Sequence, residues 1–249
     1  MLVMVVVVFA NNFLSARMAE SEFNTAKQFM RTIGMQVDDV SWTIGRTETA
    51  RYTNKYGSVA FVSALNYTVY INTTDTSQSN RKFYTAKTGI LCYKVPTSSY
   101  SLGNSFFELI YPSNSSFLLS GASVPVARIF TVEKLSEMPD GSFVRVVAAP
   151  ILRMVNLTIG STKYVRLFLP VLVKGDTPNR YPTVTMNGQS LSRLGERVTG
   201  IKVVVSFPQA GFDKFFFNFP RTVESIRLIS ESVLELYVGS VDVDLGVNP

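Results

Sequence analysis

The chain has 249 residues, with 24 Lys+Arg against 18 Asp+Glu and a formal net charge of +6. It holds no histidine and a single cysteine, Cys92. These counts exclude a histidine general base, a Ser-His-Asp triad, imidazole ligation of a metal, an intrachain disulfide and a CxxC redox pair.

Charged residues make up 17% of the chain, low against the usual figure of about 25%. Ser, Thr and Asn take their place, a balance that suits a β-rich extracytoplasmic domain. The basic residues, among them Arg81, Arg128, Arg145 and Arg166, are scattered. They form no arm, so they read as a solvated basic surface and no nucleic-acid partner is expected.

The N-terminal stretch Met1 to Ala10 is apolar without a break. It is about half the roughly 20 residues that span a bilayer, and it lacks the positive start of a secretory signal. The apolar pattern continues through Phe13, Ala16, Phe23, Ala26, Met30, Ile33 and Val37 at helical spacing, with one double step across Ala19-Glu20. Arg17, Glu20, Glu22, Lys27 and Arg31 are expected on the outside. Such a helix has two environments: lipid or a bundle of like helices first, a folded domain later. The start is therefore expected to belong to a transmembrane helix, with Leu2, Val5, Val6, Phe9 and Phe13 as the anchoring or self-associating side chains. The competing reading is an apolar tip that caps its own domain core.

Beyond Gly45, β-branched and aromatic residues dominate. Strands are predicted over Ser58 to Asn72 and Lys82 to Val95, joined by a polar turn from Thr73 to Asn80. Val126 to Leu135 and Ser142 to Ile159 flank the turn signal Pro139-Asp140-Gly141, with a break near Pro150. Tyr164 to Lys174 follows, where Pro170 favours an edge or a bulge. Next come a short strand Thr183 to Met186, a turn at Asn187-Gly188, and a polar stretch with helical character to Val198. Ile201 to Phe207 and Val233 to Val247 complete the strands. The expected fold is α+β and mainly β: a helix over residues 1–40, then an antiparallel β-sandwich-like head over 41–249.

Four Asn-x-Ser/Thr sequons occur, at Asn66, Asn72, Asn114 and Asn156. Chance gives roughly two to three in a chain this rich in Asn, Ser and Thr, so they are compatible with a surface protein without establishing one. Asp242 and Asp244 share one face of a strand, and Asp38-Asp39 follow the helix; both pairs read first as structural. The lone tryptophan, Trp42, is expected to anchor the helix–head junction, with Asp38 or Asp39 pairing with Arg46 or Arg51. Cys92 sits in an apolar strand and reads as a buried small hydrophobe. No cofactor or metal is expected.

The run Phe23 to Tyr56, with Asp38-Asp39-Val40-Ser41-Trp42, Gly45-Arg46-Thr47 and Arg51-Tyr52, resembles uncharacterised archaeal pilin-like surface proteins, as do Pro125-Val126-Ala127-Arg128 and Leu236-Tyr237-Val238-Gly239. The resemblance implies a helix in the membrane or a filament core and a head facing outside. It carries no activity, and the family's basic processing site and nearby glutamate are not found around Met1–Ala10. The functional expectation is a noncatalytic, membrane-anchored extracytoplasmic surface protein, with membrane lipid or like helices as partners of residues 1–33 and a homo-oligomer or filament as its assembly. The alternatives are a glycan-binding β-sandwich module and, more remotely, a carboxylate hydrolase.

Overall fold

The computed structural model describes residues 2–74, 80–103, 105–134, 138, 141–176 and 181–246; within the first helical turns, side chains are described for Val7, Ala10, Asn11 and from Phe13 onward. The predicted turn residues 75–79 and 139–140 lie outside this set, as do the side chains of Leu2, Val5, Val6 and Phe9.

One helix, α1 (Leu2–Ser41), precedes a mainly β body. Its strands are β1 (Thr47–Arg51), β2 (Ser58–Asn72), β3 (Arg81–Pro96), β4 (Phe107–Tyr111), β5 (Leu118–Ser120), β6 (Ala127–Glu133), β7 (Phe143–Pro150), β8 (Leu152–Ile159), β9 (Thr162–Lys174), β10 (Thr183–Ser206) and β11 (Val223–Leu245). All belong to one hydrogen-bonded sheet ordered β4-β6-β7-β3-β2-β10-β11-β9-β8-β5, with β1 on a second stretch of β10. The sheet is mixed, which corrects the expectation of purely antiparallel pairing: β9 runs parallel to β11, and β5 parallel to β8.

Three further expectations fail. Asn187-Gly188 is no turn. β10 runs straight through it for 24 residues, and the stretch to Val198 is strand, not helix. Gly188 serves close approach instead: a Cβ there would lie 2.7 Å from the Val40 carbonyl oxygen. Its N–H donates to the Arg46 carbonyl at 3.0 Å and its own carbonyl accepts from Gly45 at 2.7 Å. The last strand begins at Val223, ten residues before the predicted start. A register jump opposite Val198/Gly200 inserts extra residues there and hides the alternation. Pro170, by contrast, behaves as its chemistry requires. It sits just past Phe168, the last β9 residue paired with β8, where a missing N–H is tolerated.

The sheet bends so that both of its ends feed one core. Leu65, Tyr67 and Val69 of β2, Val147 and Ala149 of β7, Leu167 and Leu169 of β9, and Leu234 and Leu236 of β11 meet in it. Opposite the ladders, the Leu172 N–H donates to Thr88 Oγ1 at 2.9 Å, bringing β9 against β3. The Phe215-Phe216-Phe217 run forms one helical turn, α2 (Lys214–Phe217), capped by Asp213, whose Oδ1 accepts from the Phe216 N–H at 2.7 Å. It seats Phe216 and Phe217 against Phe130. Cys92 is buried in this core, as expected.

α1 covers the other face of the central strands. Its stripe Phe23, Ala26, Met30, Ile33, Val37 and Val40 meets Leu91, Tyr93 and Val95 of β3, Val144 and Val146 of β7, and Val241 and Val243 of β11. β3 is thus buried on both sides, which explains why Ile90-Leu91-Cys92-Tyr93 reads as a continuous apolar run rather than an alternating one. Gly34 does not end the helix. It permits contact with β6, since a Cβ there would come 2.8 Å from Ile129 Cδ1.

Candidate functional site: the helix and its junction with the head

α1 divides into a free part and a docked part. Its first buried side chain among those described is Ala19; before it, Val7 is 59%, Phe13 54%, Leu14 58% and Met18 48% exposed. The helix from Leu2 to Asn12 runs on for roughly 16 Å at about 1.5 Å per residue, whereas Phe13, Ala16 and Arg17 flank the 97–101 loop and Met18 reaches Lys55 and Tyr56. From Ala19 to Ser41 one face is buried with spacings of three and four. Ala19 itself fills the double step that the sequence pattern left open.

Glu22 corrects the expected outer face. It is only 7% exposed and sits within the docked stripe. Its Oε1 accepts from the Tyr56 N–H at 2.9 Å, the Gly57 N–H at 2.9 Å and the Tyr93 hydroxyl at 2.6 Å. The Tyr93 oxygen also lies 2.8 Å from the Thr53 carbonyl. Burial, then the hydrogen bond with Glu22, push the Tyr93 pKa well above the usual phenol range, so its proton stays in place. Gly57 is required at this contact because a Cβ would lie 2.5 Å from the Tyr93 ring. Sequence reasoning missed Glu22 because its partners come from a loop and a strand more than 30 residues away. The one available signal was an acid at a position the stripe would otherwise fill with an apolar residue.

At the C-terminal end of α1 the structure has the expected Asp39–Arg46 pair and, beside it, a pair from Asp38 to β8 that the sequence did not show. Trp42 Nε1 donates to Asp38 Oδ1 at 2.7 Å, and Asp38 Oδ2 pairs with Arg153 of β8 at 3.1 Å. Arg153 stands over the Trp42 and Phe168 rings, 5.8 and 4.9 Å from their centroids. Asp39 pairs with Arg46 at 3.4 Å, and Arg46 also pairs with Glu48 at 3.0 Å. Arg51 does not join this junction: it lies exposed on β1, at the mouth of a pocket beside Glu22.

Arg153, Phe168, Tyr237 and Arg193 are ladder partners in turn, so they form one row across β8, β9, β11 and β10. Phe168 and Tyr237 stack at 5.0 Å and 10°. In the next row buried Glu235 pairs with Arg166 at 2.6 Å and with Arg193, while Tyr237 donates to it at 3.2 Å. Burial pushes the Glu235 pKa up, but the bonds from Arg166 and Arg193 outweigh it and hold the carboxyl below its ordinary range.

Of the sequons, Asn114 and Asn156 are exposed, whereas Asn66 and Asn72 are half-buried. Asn66 Oδ1 is enclosed and Asn72 Oδ1 accepts from the Asn80 N–H at 2.7 Å. Asp242 and Asp244 lie half-buried on β11, and the Asp242 pKa is raised by burial, then by Asp244 and Asp176. No cluster of three potential metal ligands occurs among the described residues.

Comparison with protein-family models, with curated proteins and with solved structures finds no match.

Proposed function

We propose that this chain is a noncatalytic surface protein of pilin-like design. The free start of α1 is its attachment element, and the head is an extracytoplasmic, sandwich-like body. The observation that carries the reading is the change of environment along one unbroken helix. Val7, Phe13, Leu14 and Met18 are exposed apolar side chains ahead of a docked stripe that begins at Ala19. Exposed apolar surface of that extent on a projecting rod is costly in water and favours lipid or like helices. No helix among the described residues is long and apolar enough to cross a membrane; the partners of this start are membrane lipid or like helices in a homo-oligomer or filament. The exposed Asn114 and Asn156 are the acceptors such a head would offer to glycosylation.

Fractionation tests the reading. Full-length protein is expected with membranes or in sedimenting assemblies, released by detergent. Recovery as a soluble monomer from the cytosol without detergent overturns it.

The Arg153–Phe168–Tyr237–Arg193 row gives one specific observation in favour of a second reading, glycan binding. The half-buried rings, with Phe168 covered by Tyr237 and Arg153, offer a glycan their rims and the flanking guanidinium donors. Tyr237→Ala should then abolish any signal on a glycan array while preserving the fold; blank arrays for the parent protein remove this reading.

A further inference from the structure

A pocket of about 400 Å³ lies elsewhere on the head, but a smaller one between α1 and the β1–β2 segment has the more specific chemistry. It encloses about 230 Å³, below the roughly 300 Å³ at which pockets for drug-sized ligands begin. Its occupant therefore has few heavy atoms. Phe29, Tyr52 and Tyr93 wall it, with Phe29–Tyr52 centroids 5.4 Å apart and Tyr52–Tyr93 centroids 6.0 Å apart and edge-on. The nearly buried Glu22 carboxylate also lines it.

That carboxylate is half used. Oε1 takes all three of its hydrogen bonds. Oε2 takes none, and no Lys or Arg among the described residues pairs with Glu22. A buried anion without a counter-charge is costly, and a bonded cation repays that cost. The aromatic walls favour the same sign, because ring faces attract cations. One positive side chain, Arg51, lines the pocket. It is exposed and has no acidic partner among the described residues. An ammonium acceptor and a carboxylate fork thus border one small aromatic-walled space.

We propose that this pocket binds a small free amino acid as its zwitterion: the α-ammonium on Glu22 Oε2 between the rings, the α-carboxylate on Arg51. Guanidinium pairs with carboxylate bidentately, and each charge of the ligand meets its opposite. The site is independent of how the helix is attached. It gives the helix–head contact a ligand that bridges α1 and β1.

The full chain, in detergent if required, is titrated with L-alanine, with alaninamide (ammonium only) and with propionate (carboxylate only), following the Tyr56 and Gly57 amide signals by NMR. Alanine is expected to saturate, and the two single-charge probes to bind at least about tenfold more weakly. Glu22→Gln keeps an oxygen for the Tyr56 and Gly57 donors and should lose alanine binding. Arg51→Gln, an exposed change that leaves the fold alone, should bring alanine down to the level of alaninamide. The proposal is overturned if alanine fails to saturate up to about 0.1 M, far above a millimolar Kd, if alaninamide binds as well as alanine, or if Arg51→Gln binds alanine like the parent. Should Glu22→Gln not fold, the Arg51→Gln comparison decides alone.

Discussion

Three carboxylates show how differently this fold treats the same group. Glu22 satisfies three donors from Tyr56, Gly57 and Tyr93. Glu22→Ala would orphan the Tyr56 and Gly57 N–H groups, while the Tyr93 hydroxyl keeps the Thr53 carbonyl, and is expected to cost about 2–4 kcal/mol, since buried unsatisfied donors are expensive and bonds to a charged acceptor are the stronger ones. Glu22→Gln should cost less than half of that in a denaturant titration, because one amide oxygen remains. Glu235 and Asp242 lie on the same strand and should give opposite pH dependences. The Glu235 pKa is depressed by Arg166 and Arg193. Its stabilisation is present above the unfolded carboxyl pKa and is lost as pH falls through the folded one. The Asp242 pKa is raised by burial and by Asp244 and Asp176. Ionising it therefore works against the fold, and its stabilising share is present at acid pH and lost as pH rises through the raised pKa. Asp242→Asn should thus stabilise the protein at pH 7, by under about 1 kcal/mol given its solvent contact, and steepen the acid limb of the stability curve, because it removes a contribution that runs against that of Glu235. A Glu235→Gln variant that is as stable as the parent at pH 7 and still more stable at pH 3 would contradict the ion-pair assignment.

At the level of elements, α1 is a rod whose two halves answer to different solvents. Deleting residues 1–17 removes no described buried side chain, because burial starts at Ala19. The truncated head should keep its melting temperature within a few degrees while losing any tendency to sediment. A collapse of the thermal transition would mean that the tip caps the core. By contrast, Gly188→Ala introduces a methyl against the backbone oxygens of Val40 and Thr43, which cannot rotate away. It should cost about 2 kcal/mol or more, read as a shifted denaturant midpoint with an unchanged slope. The same glycine marks where sequence reasoning stopped. The stripe from Phe23 to Val37 and the alternation over Ser58–Asn72 are local periodicities, so the helix and the β2–β3 pair were legible. Asn187-Gly188 carries the strongest local turn signal in the chain, yet the helix end at Val40–Thr43, at least 145 residues earlier in the sequence, claims that glycine for close approach. The parallel β9–β11 pairing and the Glu22 contacts are also set by distant residues, and no window of neighbours encodes them. At the junction, the Asp39–Arg46 pair was legible because its members lie seven residues apart, whereas the Asp38–Arg153 pair was missed because only the fold brings β8 to the helix end.

For the whole molecule, the helix lies across the middle of the bent sheet and touches strands on both sides of β2. Its docked stripe touches β3 and β7 on one arm and β10 and β11 on the other, through Val144, Val146, Met186, Val241 and Val243. Neither arm can open without uncovering the stripe, and the stripe cannot detach without exposing both arms. Helix and head should therefore unfold in one transition, despite their different secondary structure. A core truncation in the helix should then destabilise the sheet as well. Met30 is fully buried, and Met30→Ala should cost about 2–5 kcal/mol. Calorimetry and two optical probes test this together: far-ultraviolet dichroism at the helix band and Trp42 fluorescence should shift to one common lower midpoint in the variant. Two separated transitions, with the sheet melting at the parent temperature after the helix has gone, would show that α1 is an appendage and that the arms hold each other through the β2–β10 ladder, Thr88–Leu172 and the shared core.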